Sequence, residues 1–169
     1  MSSKANLIYP EPAALLLMCL LLITLPLRVS ASAPQVSVTF EARVESWLRQ
    51  TGYDYKRVKA NSWYITLTGK QLRQIRVLVG AGPTSIAVGA VVVPKQRLRV
   101  TMDSMYKMMK LSYDLNYVRV CIDPDDDLLV MAQVEERSLD AQEFKKTIDR
   151  IAAAADRTYG EVQAFINTQ

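Results

Sequence analysis

The sequence contains no histidine, and this absence limits the chemistry that the chain can perform. Without an imidazole the chain has no Ser-His-Asp or Cys-His relay of its own and no histidine ligand for a metal ion. It also lacks the side chain whose unperturbed pKa lies closest to neutrality. We identify no catalytic residue, cofactor site or metal ligand in the sequence, and we expect a protein without enzymatic activity.

Cysteine is almost as scarce, with two residues in the chain. Cys19 lies in an apolar segment near the N-terminus, and Cys121 lies between Val120 and Ile122. If the N-terminal segment is removed, a single cysteine remains and no internal disulfide can form. The apolar neighbours of Cys121 predict a buried small hydrophobic residue rather than a reactive thiol.

The N-terminus has the pattern of a signal peptide. The apolar run Ala13–Leu27 is interrupted by proline and is short for a membrane-spanning helix. Small residues occupy the positions that precede a cut after Ala31. We therefore predict a signal peptide over residues 1–31, a short polar tail over residues 32–38, and a periplasmic or secreted protein. The alternative is a protein anchored in the membrane by an uncleaved N-terminal segment.

Beyond residue 38 the spacing of apolar residues changes between the helical period and the strand period. Helical spacing predicts three helices, over residues 39–51, 102–111 and 144–166. Alternation predicts six strands, over residues 55–58, 63–67, 75–79, 85–93, 117–122 and 128–134. The connections within each group of strands have hairpin length, which favours antiparallel neighbours. We predict a single α+β domain over residues 39–168, with an antiparallel sheet of five or six strands and three helices in the order α-ββββ-α-ββ-α.

Local signals predict the ends of the helices and the place of one strand. Thr39 is a candidate N-cap, Gly52 and Asn116 are candidate left-handed stops, and Asp140 is a candidate N-cap with Ser138 as its competitor. The fourth strand, Ser85–Val93, is apolar on both faces. It should therefore lie inside the sheet or at a subunit interface.

Scattered segments in this order resemble one known family. The segments are "LRQTGYDY", "SWYITLTG", "IRVLVGAG…IAVGAVVVP", "MYKMMKLSYDLNYVRVCID" and "AAAADRTYGEV". Together, over residues 40–166, they resemble the YbjN-type, type III secretion chaperone-like family. The resemblance implies a small α+β domain that often dimerises and that binds rather than catalyses. Secretion chaperones are typically cytosolic and acidic, whereas this chain has a predicted leader and a net charge of +4.

An acidic cluster stands between the last two predicted strands. Asp123, Asp125 and Asp127 match the first, third and fifth positions of a calcium loop. Leu128 and Val134, however, occupy the positions of the turn glycine and the bidentate glutamate. The cluster therefore predicts a hairpin turn, with weak cation binding by residues 123–127 as the alternative.

A second glycine-rich motif, Gly-x-Gly at Gly80 and Gly82, precedes a strand rather than a helix. It therefore predicts a turn and not a dinucleotide site.

Four methionines in the second helix are candidates for partner contact, because flexible thioethers suit adaptable binding surfaces. They are Met102, Met105, Met108 and Met109. Three of them share a helical stripe, which we predict to be buried against the sheet. Met108 lies off this stripe, and we predict it to be an exposed contact.

Five basic residues near the first hairpins are candidates for contact with an anionic surface: Lys56, Arg57, Lys59, Arg73 and Arg76. Predicted export disfavours nucleic acid as a partner. We expect an exported, chaperone-like binding module that binds a peptide segment or protein partner through a sheet edge or the second helix. Its expected partners include a second copy of the chain, as a homodimer. The alternative is a binder of lipid headgroups or acidic polysaccharide through a basic face.

Overall fold

The computed structural model describes residues 39–167, so the predicted signal peptide and the whole polar tail lie outside the described residues. In chain order the helices and strands are α1 (Phe40–Thr51), β1 (Tyr55–Lys59), β2 (Ser62–Leu67), β3 (Ile75–Ala81), β4 (Ser85–Val93), α2 (Met102–Asp114), β5 (Arg119–Ile122), β6 (Leu128–Glu135) and α3 (Ala141–Val162). This is the predicted α-ββββ-α-ββ-α order.

The strands form one six-stranded antiparallel sheet in the order β1-β2-β3-β4-β6-β5. The prediction of an α+β fold with an antiparallel sheet is confirmed. β4 lies between β3 and β6, so its two-sided apolar character fits a place inside the sheet. The edges of the sheet are β1 and β5.

One face of the sheet, which we call the covered face, packs against helices. The long helix α3 contacts β3, β4, β6 and α1. It buries an apolar stripe with helical spacing: Phe144, Ile148, Ile151 and Ala155 are each 0% exposed. The strands meet this stripe with alternate side chains that are almost fully buried: Trp63, Ile65, Ile75, Val77, Val79, Ile86, Val88, Val130. The hydrophobic core lies between these two layers.

Side-chain and glycine caps fix the ends of α1 and the start of α3. Thr39 Oγ1 accepts a hydrogen bond from the Ala42 N–H at 3.3 Å, and Gly52 follows α1 in the left-handed conformation at φ 75°. Asp140 Oδ1 accepts from the Glu143 N–H at 2.7 Å. Asp140, and not Ser138, is therefore the N-cap of α3.

The end of α2 differs from the prediction. The helix continues to Asp114, and the Leu115 N–H still donates to the Leu111 carbonyl oxygen at 3.0 Å. The left-handed residue is then Tyr117, at φ 64°. The prediction of Asn116 as the stop is wrong, because the chain reverses one residue later than the helix-ending signal in the sequence suggested.

The aspartate cluster is a hairpin turn, as predicted. Asp123 Oδ1 accepts hydrogen bonds from the N–H groups of Asp125 and Asp127, each at 2.9 Å, and Asp126 is left-handed at φ 66°. Asp127 Oδ1 accepts from the Lys95 N–H at 2.7 Å, which ties the turn to the end of β4.

Two further findings concern residues 39–167 alone. No group of three or more metal-ligating side chains in this range is arranged to hold an ion. No helix in the same range has the length and hydropathy needed to cross a membrane.

Candidate functional site

Helix α2 presents a stripe of large apolar side chains to solvent. The exposed fractions are 80% for Met102, 48% for Met105, 62% for Tyr106, 72% for Met109 and 90% for Tyr113. We call these five residues the methionine surface. A contiguous exposed apolar patch of this kind usually marks a site of interaction, because burying it against a partner removes apolar area from water.

The predicted orientation of α2 is wrong. The stripe that contains Met102, Met105 and Met109 is exposed rather than buried, and Met108 is 8% exposed rather than a surface contact. The buried stripe contains Ser104, Met108 and Leu111.

A helix cap explains how a polar residue can occupy the buried stripe of α2. The Ser104 hydroxyl donates to the Thr101 carbonyl oxygen at 2.9 Å and accepts from the Thr101 N–H at 2.8 Å. Because these bonds satisfy the hydroxyl, Ser104 can be buried at little cost. The buried stripe is therefore less apolar in sequence than the exposed one.

A groove of about 550 Å³ runs between α2 and the edge strand β5. Met105, Met109 and Tyr113 form much of its α2 wall, and Val120 and Ile122 lie on its β5 wall. The groove continues the methionine surface onto the sheet edge. It has the apolar, concave form that accepts the side chains of a partner.

Cys121 also borders this groove, and it is half-buried rather than buried as predicted. The reason is that its side chain lies on the face of the sheet opposite the core, beside its pairing partner Leu129, on an edge strand. Partial burial raises the pKa of the Cys121 thiol, and the nearby Arg119 charge opposes that rise. The thiol is therefore held in its neutral form, which is a weak nucleophile.

Neither edge of the sheet is well suited to accept an added strand. Just before β5 the Val118 N–H donates to the Leu115 carbonyl oxygen at 3.4 Å, and within β5 the Val120 N–H donates to Ser112 Oγ at 3.3 Å. These N–H groups face away from β6 and are already occupied.

The opposite edge is blunted by charge and by irregular pairing. β1 carries Lys56, Arg57 and Lys59, and its register with β2 shifts between Arg57 and Lys59. Charged, bulged edges resist strand pairing. Of the two predicted surfaces, a sheet edge and the second helix, the structure favours the helix.

The face of the sheet opposite the core forms a second apolar surface, which we call the open face. Leu78 is 50% exposed and Val91 is 46% exposed. With Gly89, Leu129 and Met131 they line a shallow concavity of about 840 Å³. Antiparallel sheets with one solvated face normally place polar residues there. The apolar character of both faces of β4 was the sequence signal for this surface.

The five predicted basic residues are divided between the two faces. Lys56 and Arg76 lie on the open face, where the Arg76 guanidinium stacks over the Tyr64 ring at 5.1 Å. Arg57 lies on the other side, over the buried Trp63 ring at 5.6 Å, and forms ion pairs with two glutamates of α1.

The last two of the five, Lys59 and Arg73, are exposed at the end of β1 and in the β2–β3 connection. The five residues therefore do not form one continuous basic face.

No protein-family model and no curated protein matches the sequence. Among solved structures, YbjN from E. coli matches with a TM-score of 0.57 and 10% identity, over 74% of this chain and 93% of that chain. The ExsC–ExsE complex matches with a TM-score of 0.54 and 11% identity, over 76% of this chain and 95% of that chain. The Yersinia pestis type III secretion chaperone SycH, solved with a fragment of YscM2, matches with a TM-score of 0.49 and 12% identity, over 71% of this chain and 99% of that chain.

The chain has the YbjN-like, type III secretion chaperone-like fold. The fold implied by the sequence resemblance is thereby confirmed. At 10–11% identity these matches show the shared fold alone. Function has to be inferred from this chain's own surfaces.

Proposed function

We propose that this protein is a non-enzymatic, chaperone-like module that binds a protein partner through the methionine surface. The observation that carries the proposal is the row of five large apolar side chains on α2, between 48% and 90% exposed, beside an apolar groove. Burial of such area contributes about 25 cal/mol per Å². Methionine side chains adapt to partners of different shape at little cost. The fold supports the proposal, since the ExsC–ExsE structure is itself a complex.

The partner contributes side chains rather than an added strand. The N–H groups of Val118, just before β5, and Val120, within it, already have acceptors, so an added strand would find fewer free donors along this edge. The groove walls are instead formed by apolar side chains from α2 and β5. A partner segment gains affinity here by filling the groove with apolar side chains, as amphipathic helices do in other hydrophobic grooves.

Site-directed photo-cross-linking tests this proposal. A photoreactive residue is placed at Met109 or at Tyr113, and the matched control is Ala153, an exposed position on α3. We expect both α2 positions to cross-link one protein of different sequence, at low and at high salt, and the control not to do so. Cross-links that join only two copies of this chain would make the methionine surface a homodimer interface and would contradict the proposal.

The alternative proposal, binding of an anionic surface, predicts a different result. Association with anionic vesicles or acidic polysaccharide would fall steeply with salt. It would depend on Lys56, Arg57, Lys59, Arg73 and Arg76, and it would be unaffected by changes on α2. The ion pairs of Arg57 and the division of the five residues between two faces weigh against it.

The location is also a proposal: the protein acts outside the cytoplasm after loss of residues 1–31. N-terminal sequencing of the protein from its native host should give Ser32 as the first residue. Retention of Met1 would support the membrane-anchored alternative.

A further inference from the structure

One row of residues crosses the whole open face from edge to edge. Its members are successive partners on neighbouring strands: Lys56, Tyr64, Leu78, Gly89, Met131 and Arg119. The row begins and ends with a cation and is apolar at its centre. Because neighbouring strands lie about 4.8 Å apart, its two ends are separated by about 24 Å.

The two terminal cations have no carboxylate partner within residues 39–167. Neither Lys56 nor Arg119 is in an ion pair there, and both are exposed. Two acidic residues of the β5–β6 hairpin are already engaged, since Glu135 pairs with Arg137 and Asp123 accepts hydrogen bonds within its turn. The open face therefore combines an apolar centre with unneutralised positive charge at opposite borders.

The sheet constrains what can cover this face. All strands in the centre of the sheet bond to neighbours on both sides, so the face itself offers no backbone donors or acceptors. A segment that covers the apolar centre is removed from water there. Its backbone N–H and C=O groups must therefore form hydrogen bonds within the segment itself. An α-helix does this, and helices are the usual cover of a sheet face. A helix of about 16 residues spans about 24 Å.

We propose that the open face docks an amphipathic helix of a partner protein. Its apolar stripe covers Leu78, Gly89 and Met131, and carboxylates near its two ends, about 24 Å apart, pair with Lys56 and Arg119. This docking surface is separate from the methionine surface. It does not depend on the function proposed for that surface.

A pair of synthetic helical peptides tests the proposal with the chain from residue 32 to residue 169. Both are fluorescein-labelled, about 16 residues long, and carry leucines at helical spacing. One has glutamates at both ends and the other has lysines. We expect fluorescence anisotropy to show binding of the glutamate peptide alone, with a gain of helical circular dichroism on binding.

Charge reversal provides the specific readout. K56E/R119E should weaken binding of the glutamate peptide by at least about tenfold, since two pairs are lost and two repulsions are added. The same variant should gain binding of the lysine peptide. L78Q should weaken binding of the glutamate peptide to the natural chain and, combined with K56E/R119E, binding of the lysine peptide, because it removes apolar area from the centre. The control R49E/K146E makes the same charge change on exposed positions of α1 and α3, and should leave glutamate-peptide affinity unchanged.

Four outcomes would overturn the proposal. The glutamate peptide does not bind, or both peptides bind the natural chain equally. A concentration-dependent dimer that L78Q dissociates would make a second copy the occupant. Peptide-independent binding to phosphatidylglycerol vesicles that K56E/R119E abolishes would make a lipid surface the occupant. M109Q separates the two proposals, because it should reduce cross-linking on α2 and leave peptide binding unchanged.

Discussion

The two faces of the sheet are built from alternate residues of the same strands, yet the fold uses them differently. Along β3, Val77 and Val79 are fully buried on the covered face, whereas Leu78 between them is 50% exposed on the open face. The covered face is apolar because the fold needs a core. The fold itself does not bury the apolar side chains of the open face. Their presence therefore points to a contact made from outside residues 39–167.

Truncation on the two faces gives the largest expected difference. Phe144 is 0% exposed and packs against the Trp47 ring, with centroids 5.8 Å apart. We expect F144A to lower the free energy of unfolding by about 3–5 kcal/mol, because it leaves a cavity. L78A should lower it by less than about 1 kcal/mol. Urea unfolding followed by tryptophan fluorescence measures both. Equal losses would mean that the open face is buried by this chain itself.

The same contrast can be tested within α2. M108A removes a side chain from the buried stripe and should cost about 2–3 kcal/mol in unfolding free energy. M109A, one residue along, removes a side chain that is 72% exposed and should change the value by no more than about 0.5 kcal/mol. A larger cost for M109A than for M108A would restore the orientation that the sequence predicted.

A smaller, pH-dependent effect is expected where α3 holds the loop between β2 and β3 on the covered side. Asp156 Oδ1 accepts hydrogen bonds from the Gln71 and Leu72 N–H groups at 2.7 and 2.8 Å. Burial alone would raise the pKa of Asp156, but the backbone donors outweigh it and hold the pKa below its usual value. The carboxylate is therefore stabilised in the folded state relative to the unfolded state.

The sign of the pH dependence follows from that lowered pKa. The stabilisation is fully present above the unfolded pKa of about 3.9 and is lost as the pH falls through the lower, folded pKa. D156N should cost about 1–2 kcal/mol at pH 7, and the difference from the natural chain should shrink below about pH 3.9. Urea unfolding at several pH values measures it, with D54N, an exposed aspartate, as the control. A difference that stays constant down to the lowest pH would contradict this role.

The sequence predicted the features that depend on local spacing. The period of apolar residues located the three helices and six strands, and the caps Thr39, Gly52 and Asp140 were identified from their residue types. These features were predictable because they are determined by neighbours within a few residues.

The features that the sequence did not predict depend on tertiary contacts. The orientation of α2 could not be predicted, because the hydroxyl of Ser104 is satisfied by Thr101 and can be buried. The row from Lys56 to Arg119 could not be predicted either. It depends on the pairing of β6 with β4 and on the place of β5 at the far edge, which are contacts between segments distant in sequence.

The two edges of the sheet have a consequence for how the molecule behaves at high concentration. A protein that exposes two apolar surfaces is at risk of aggregating into fibrils. The usual route is pairing between the edge strands of different copies. Here the three cations of β1 would repel a second β1, and Ser112 already occupies an amide of β5. Both features disfavour the joining of two copies of the sheet edge to edge.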